Sequence, residues 1–306
     1  MLVVYGTVCL DRIRRVDRLP EKGGYAEITS ELDLLGGEAA NTALALAAWG
    51  ADVQLFGNPI GTGADADLLL GMLRSSGVSQ VEFSSDRGQG GTPVCDIYVT
   101  PDGERTMFGR GFSDLEDRMD LTNLSGQLKT GSWFTAEPNH GVAARQAVRM
   151  AAEAGCRIYL LDFLRPDDPM PPGSYWQAST DWIGVRGNTQ RNVALVQDWV
   201  ARNPVFAVLS DGPNGFVAGG LGHPVRAYPP FPCPQLVDST GAGDVFRAGM
   251  LFGLDQGWGL SDCLRFASAA GCLNCLGLGG SSQIPSREAI ERLTHDNPQV
   301  SRAYEQ

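Results

Sequence analysis

The sequence predicts an α/β fold: a mostly parallel central sheet covered by helices on both faces, with a small β-sheet standing off it as a lid. Three observations predict it. Short apolar runs alternate with helix-length, alanine-rich stretches along most of the chain. Two stretches, about 12–35 and 92–110, interrupt that alternation with polar, extended sequence. Hydrophobic residues fill 43% of 306 positions, enough to bury both sheet faces. The length suits one α/β body with an accessory element, so residues 1–306 are expected to form a single domain.

The elements follow in order. "LVVYG" (2–6) reads as a short buried strand ending in glycine. "GGEAANTALALAAWGA" (36–51) reads as a turn and then an alanine-rich helix closed by Gly50. "DVQLFG" (52–57) is the next strand, "GNPIGTGADAD" (57–67) a loop and helix cap, and 65–78 a helix stopped by Gly77. Residues 141–156 predict a helix and 157–163 a strand. Residues 181–187, 191–201 and 205–212 predict strand, helix, strand.

In the first interruption, Pro20 and Gly23-Gly24 argue against helix. In the second, Pro101-Asp102-Gly103 makes a turn, and Cys95, Ile97 and Val99 share one face by period two. Both stretches predict antiparallel strands. They serve either as a lid or as ordinary surface hairpins.

Composition narrows the function. The net charge of −11, without a local basic stripe, argues against a nucleic-acid partner. No apolar run has membrane-spanning length, and "LVVYG" lacks the basic flank of a leader, so a cytoplasmic protein is expected. The seven cysteines form no paired framework. Cys272 and Cys275 are spaced as CxxC inside an apolar helix-like run and read as small buried residues. His140, His223 and His295 are scattered, against a histidine metal site. A GxxxxGK[ST] loop is missing, as is a GxGxxG after a strand with a downstream acid.

The informative stretch is "DSTGAGDVFRAG" (238–249). Val245, Phe246, Ala248, Gly249 and Phe252 have helical spacing, so a helix starts near Gly241–Gly243. Its first turn offers unpaired N–H groups and a positive dipole end, and glycines let an anion approach. Asp244 repels phosphate, yet can take a proton from an attacking hydroxyl beside it. "GAGD" alone fits this reading and also a carboxylate that merely complements the helix dipole.

The wider string, with Asp238 and Thr240 ahead of it, resembles the C-terminal signature of the ribokinase-like carbohydrate kinases, the PfkB family. "LGGEAANTALALAAWGA" resembles that family's N-terminal signature, about 200 residues earlier in the expected order. The early strand leading to Asp11, the lid-like insertions, Asn188, "SDGPNG" and "FASAAGCLNCLGLGG" extend the likeness over the whole chain. The resemblance implies a ribokinase-like three-layer fold and phosphoryl transfer from Mg-ATP to a carbohydrate hydroxyl. Asp244 would be the catalytic base and Gly241, Ala242 and Gly243 the anion hole. Asp11, Gly37 and Asn41 would hold sugar hydroxyls. Asn188 would lie near the triphosphate and its magnesium. Ser210, Gly212, Gly215 and Ser268 would line the nucleotide site, and Asp238 and Thr240 would help bind a monovalent cation such as K+.

Independent reasoning meets this at Asp11 and Asn41, since open parallel sheets bind ligands beyond the carboxyl ends of their strands. The alternative is that Asp11 caps a turn and Asn41 sits in a polar helix start. Two departures stand out. The family commonly has an acid three residues after the asparagine matched by Asn188, where this chain has Arg191; it either contacts phosphate or is a solvated helix-start arginine. Glu38 replaces a lysine found in some members, which argues against an acceptor already carrying phosphate. Arg105 and Arg110 could offset it. A nucleoside kinase and a non-catalytic metabolite-binding protein are the alternatives; base stacking by Phe108, Phe112 or Trp133 would favour the first. Exposed lid strands could pair two copies as a homodimer.

Overall fold

The computed structural model describes residues 1–83 and 91–305. The chain opens with β1 (Leu2–Gly6), β2 (Cys9–Val16), β3 (Ile28–Gly36), α1 (Glu38–Ala48), β4 (Val53–Gly57), α2 (Ala64–Ser75) and β5 (Gln80–Phe83). Then come β6 (Val94–Val99), β7 (Arg105–Arg110), β8 (Trp133–Ala136), α3 (Gly141–Glu153), β9 (Arg157–Leu161) and β10 (Tyr175–Ser179). The C-terminal part holds α4 (Thr189–Arg202), β11 (Phe206–Ser210), β12 (Phe216–Gly220), β13 (His223–Tyr228), α5 (Ala242–Asp255), α6 (Leu260–Asn274), α7 (Arg287–Asp296) and α8 (Pro298–Arg302).

The main sheet runs β13-β12-β11-β10-β9-β8-β1-β4-β5. Its strands from β11 to β5 pair in parallel, and β12 and β13 add an antiparallel edge. Alternate residues of β1 show why its run is wholly apolar. Leu2 and Val4 pack with α1, α2, α5 and α6, whereas Val3 and Tyr5 pack with α3 and α4. The three layers follow directly from this two-sided burial.

The second sheet, β3-β2-β6-β7, is the predicted insertion. Its outer pairs are antiparallel as expected, but the central pair, β2 with β6, is parallel. Ile13, Ile97 and Val99 form its small core, packed with Leu34, Cys95 and Leu278 of the segment after α6. The lid therefore rests on the body rather than projecting as two hairpins. It also starts earlier than expected, at Cys9, so Asp11 is a lid residue.

One expected strand is absent. Residues 181–187 form turns, and β10 lies just before them, in "YWQAS". Gly184 and Gly187 take positive φ (91° and 73°), and Trp182 is exposed, so the apolar look of "DWIG" does not reflect a core strand. The cysteines are all free, and Cys272 and Cys275 are half-buried rather than buried.

Candidate active site

The glycine turn ahead of α5 has the geometry its sequence calls for. Gly241 is left-handed (φ 74°), and a Cβ there would stand 2.4 Å from the Cα of Gly280. Gly243 differs: a Cβ would meet only Gln177 Nε2, at 3.8 Å, so the space before it is open. The Ala242 N–H is given to the Ser239 carbonyl at 3.3 Å. The N–H groups of Gly243 and Asp244 have no partner among the described residues and are the donors left for an anion.

Asp244 is 7% exposed. Asn41 Nδ2 donates to its Oδ2 at 2.9 Å, across more than two hundred residues of chain, and Gln177 Nε2 fixes the Gly243 carbonyl at 3.0 Å. Burial raises the Asp244 carboxyl to about 7, against the opposing pull of Arg247; Glu38 adds to the rise and the Asn41 hydrogen bond reduces it. A carboxylate in that range suits a base working at neutral pH. Asn41 is itself buried, and its Oδ1 has no partner, which leaves an acceptor for a ligand hydroxyl.

Asp11 lies nearby on β2, buried, its carboxyl raised by burial to about 6. Its carboxylate occupies the space a Cβ at Gly36 would need, which ties the lid strand to the turn before α1. Gly37 (φ 98°) caps α1 where a side chain would strike the Thr7 carbonyl at 2.3 Å, so a packing need explains this glycine. The structure thus gathers Asp11, Asn41, Gly241, Gly243 and Asp244 in one corner, with the three polar side chains buried and Gly243 open to solvent.

The residues expected for the nucleotide form a second group. Ser210 ends β11, and Gly212 and Gly215 bracket a short turn after it; Ser210 Oγ donates to the Ala178 carbonyl. Asp211 binds this turn to residues 180–187 through Thr180 Oγ1 (2.8 Å) and the Gly187 N–H (2.9 Å). Asn188 is the exposed N-cap of α4, accepting from the Arg191 N–H at 3.1 Å. Arg191 is exposed, as a helix-start arginine. Ser268 stands apart on α6, its Oγ taking the Tyr304 hydroxyl at 2.9 Å.

Among the described residues no three acid, histidine or cysteine side chains gather to hold an ion. Asp238 is buried, with Oδ1 taken by the Thr240 N–H and hydroxyl and Oδ2 by the Gly279 N–H, so this pair organises the loop.

The lid reaches the body through charge. Arg12 and Arg110 both bind Asp65 of α2, at 2.6 and 2.8 Å, and Arg105 Nη1 donates to Ser239 Oγ at 2.5 Å beside the glycine turn. Trp133 begins β8, buried at the strand end opposite the site, and Phe108 is exposed on the lid, edge-on to Tyr98.

Sequence reasoning missed Glu137, Asp162 and Arg247. Glu137 and Asp162 directly follow β8 and β9, the strand-end positions that singled out Asp11. Asp162 takes φ 55°, uncommon for a residue with a side chain, and its buried Oδ1 is unpartnered. Burial pushes both carboxyls up to about 8, with Glu38 adding to the rise and Arg247 opposing it. Arg247 is a charge inside an apolar helix, the one visible signal.

The profile of the pfkB family of carbohydrate kinases matches residues 1–156 and 180–287, and the chain belongs to that family. It is 28% identical to an uncharacterised sugar kinase of Dictyostelium discoideum, over 94% of this chain and 96% of that one. It is 29% identical to ketohexokinase of Mus musculus, over 91% and 97%. The structure of Arabidopsis thaliana ribokinase complexed with ribose and ATP superposes with a TM-score of 0.77 at 19% identity, covering 95% and 97%. The fold is therefore ribokinase-like, and the chain is a carbohydrate kinase by family. No helix among the described residues is long and apolar enough to cross a membrane.

Proposed function

We propose that this chain transfers the γ-phosphoryl group of ATP to a hydroxyl of a neutral sugar, with Asp244 as base. The observation that carries the reading is the open, unpaired N–H pair of Gly243 and Asp244 directly beside the buried Asp244 carboxylate. Asp11 and the free Oδ1 of Asn41 hold acceptor hydroxyls. Asp244 takes the acceptor proton as the new O–P bond forms; the bond between the γ-phosphorus and the bridging oxygen breaks, and ADP leaves. The two amides face the charge on the migrating group. ATP enters as its magnesium complex, the ion leaning on phosphate oxygens and water, along Asn188, Ser210, Gly212 and Gly215. Ser268 lines the far end of that site.

A neutral acceptor is favoured because Asp11, Glu38, Glu137, Asp162 and Asp244 surround the corner, while the lid arginines Arg12, Arg14 and Arg110 are spent on carboxylates. The lid and body act as one domain, and lid closure keeps water from competing as acceptor. Tyr25, Ile28, Leu32, Met107 and Phe108 expose apolar surface on the lid sheet or its connecting loop, where two copies would pair.

The test is ADP release with MgATP across pentoses, hexoses, sugar acids, sugar phosphates and nucleosides. The reading expects sugar-dependent turnover with the neutral sugars. Turnover only with nucleosides would replace it by the nucleoside kinase, and ligand binding without turnover by the metabolite-binding protein.

A further inference from the structure

Arg247 is the largest unexplained charge in the molecule. Its side chain is fully buried, one helical turn beyond Asp244 on α5. A buried cation is costly unless its donors and its charge are answered. Here Nε donates to Thr42 Oγ1 at 2.9 Å and Nη2 to the Glu38 carbonyl at 2.6 Å, both on α1. Nη2 lies 3.7 Å from Asp244 Oδ1, and Nη1 lies 3.9 Å from Glu137 Oε2. Thr42 Oγ1 in turn sits 3.3 Å from the Asp244 carbonyl. One guanidinium therefore joins α1, α5 and the end of β8 around the proposed base.

We infer that Arg247 is a positioning residue that fixes the Asp244 carboxylate against α1 and supplies the counter-charge that keeps it ionised for proton abstraction. This rests on the reading of Asp244 as the base. The groups facing the pair are Glu38, Asn41 and Thr42 from α1, Asp11 from β2, Glu137 after β8, Tyr159 on β9, Asp162 after it and Gln177 on β10; α6 contributes apolar side chains and the Cys263 thiol. Every ionisable member of this set except Arg247 is acidic. Without the guanidinium, burial and the other carboxylates hold the proton on Asp244, and the base is lost at neutral pH.

The test is the pH profile of kcat/KM for the wild type, Arg247→Lys and Arg247→Met, with thermal melting as a check on folding. Because Arg247→Met leaves buried carboxyls without their cation, the double variant Arg247→Met/Glu137→Gln, which also removes the second carboxyl that faces the guanidinium, carries the same test. The acid limb is expected to move up by about 1 pH unit or more in both methionine variants, as loss of a close opposite charge does. Arg247→Lys, which keeps the charge, leaves the limb close to that of the wild type. A purely structural role lowers the plateau and leaves the limb in place. Limbs that coincide with the wild type in Arg247→Lys and in the double variant would overturn the inference. Asp244→Asn separates the two failures: near-normal turnover there sinks the base itself, whereas lost turnover with unmoved limbs in the Arg247 variants sinks only the role of Arg247.

Discussion

The acceptor corner and the nucleotide side of this molecule are built on opposite principles. Around Asp244 the functional groups are buried, charged and bonded across distant segments: Asn41 to Asp244, Arg247 to α1, Arg105 to Ser239. Around Asn188 they are more open: Asn188 and Gly212 are exposed, Ser210 and Ser268 half-buried and only Gly215 buried, on backbone turns and a helix cap. On the proposed reading, the difference follows from the chemistry each side would perform. Proton abstraction needs a carboxylate out of water, with its ionisation set by fixed neighbours, whereas a nucleotide that enters and leaves each cycle needs an open surface of backbone donors.

The contrast is breakable. Gly243→Val fills the open approach to the two amides and is expected to cut kcat/KM by at least about 10²-fold with little change in melting temperature; retention of activity in steady-state assays would show that phosphate does not pass there. The next effect is on stability. Asp162 and Glu137 at about 8 and Asp244 at about 7 keep protons in the folded chain that the unfolded chain releases near pH 4. Their folded values are raised, so stability is lost as pH rises through them. His140, buried and lowered to about 4, acts only as pH falls below about 6.5. Melting of the free protein should therefore decline between pH 6.5 and 8, by roughly 4 kcal/mol in all; a flat profile would mean these carboxylates are ionised throughout.

Arg105→Ala removes the lid's bond to Ser239. It should lower kcat/KM about tenfold, the worth of one charged hydrogen bond, and raise the share of ATP hydrolysed without a sugar product; unchanged coupling would detach the lid from the transfer step. Asn188→Ala is expected to be mildest: an exposed cap costs about 1 kcal/mol of stability, and the KM for ATP rises while kcat stays. A loss of kcat there would erase the distinction between the two sides.

The legible parts of the sequence were those in which local chemistry and tertiary role coincide. β1 is apolar at every position because both its faces are covered, and "TGAGD" shows its turn because a left-handed glycine was needed at 241. Residues 181–187 misled because an apolar composition can arise at a turn, where Trp182 faces solvent. Glu137, Asp162 and Arg247 left only faint local marks, two strand ends and a charge in an apolar helix, for a different reason. Their roles come largely from neighbours distant in sequence, such as the Glu38 carbonyl 209 positions from Arg247, and no local pattern encodes that pairing. Ala242 was assigned to the anion hole by its place in the motif, whereas its N–H closes the turn onto Ser239.

The central claim is that Asp244 removes the acceptor proton while the Gly243 and Asp244 amides take the phosphoryl group. Single-turnover phosphoryl transfer by Asp244→Asn, alongside ATP binding measured by calorimetry, tests it most directly. The account predicts transfer slower by about 10²–10⁴-fold with ATP affinity largely kept. Transfer at close to the wild-type rate would contradict it.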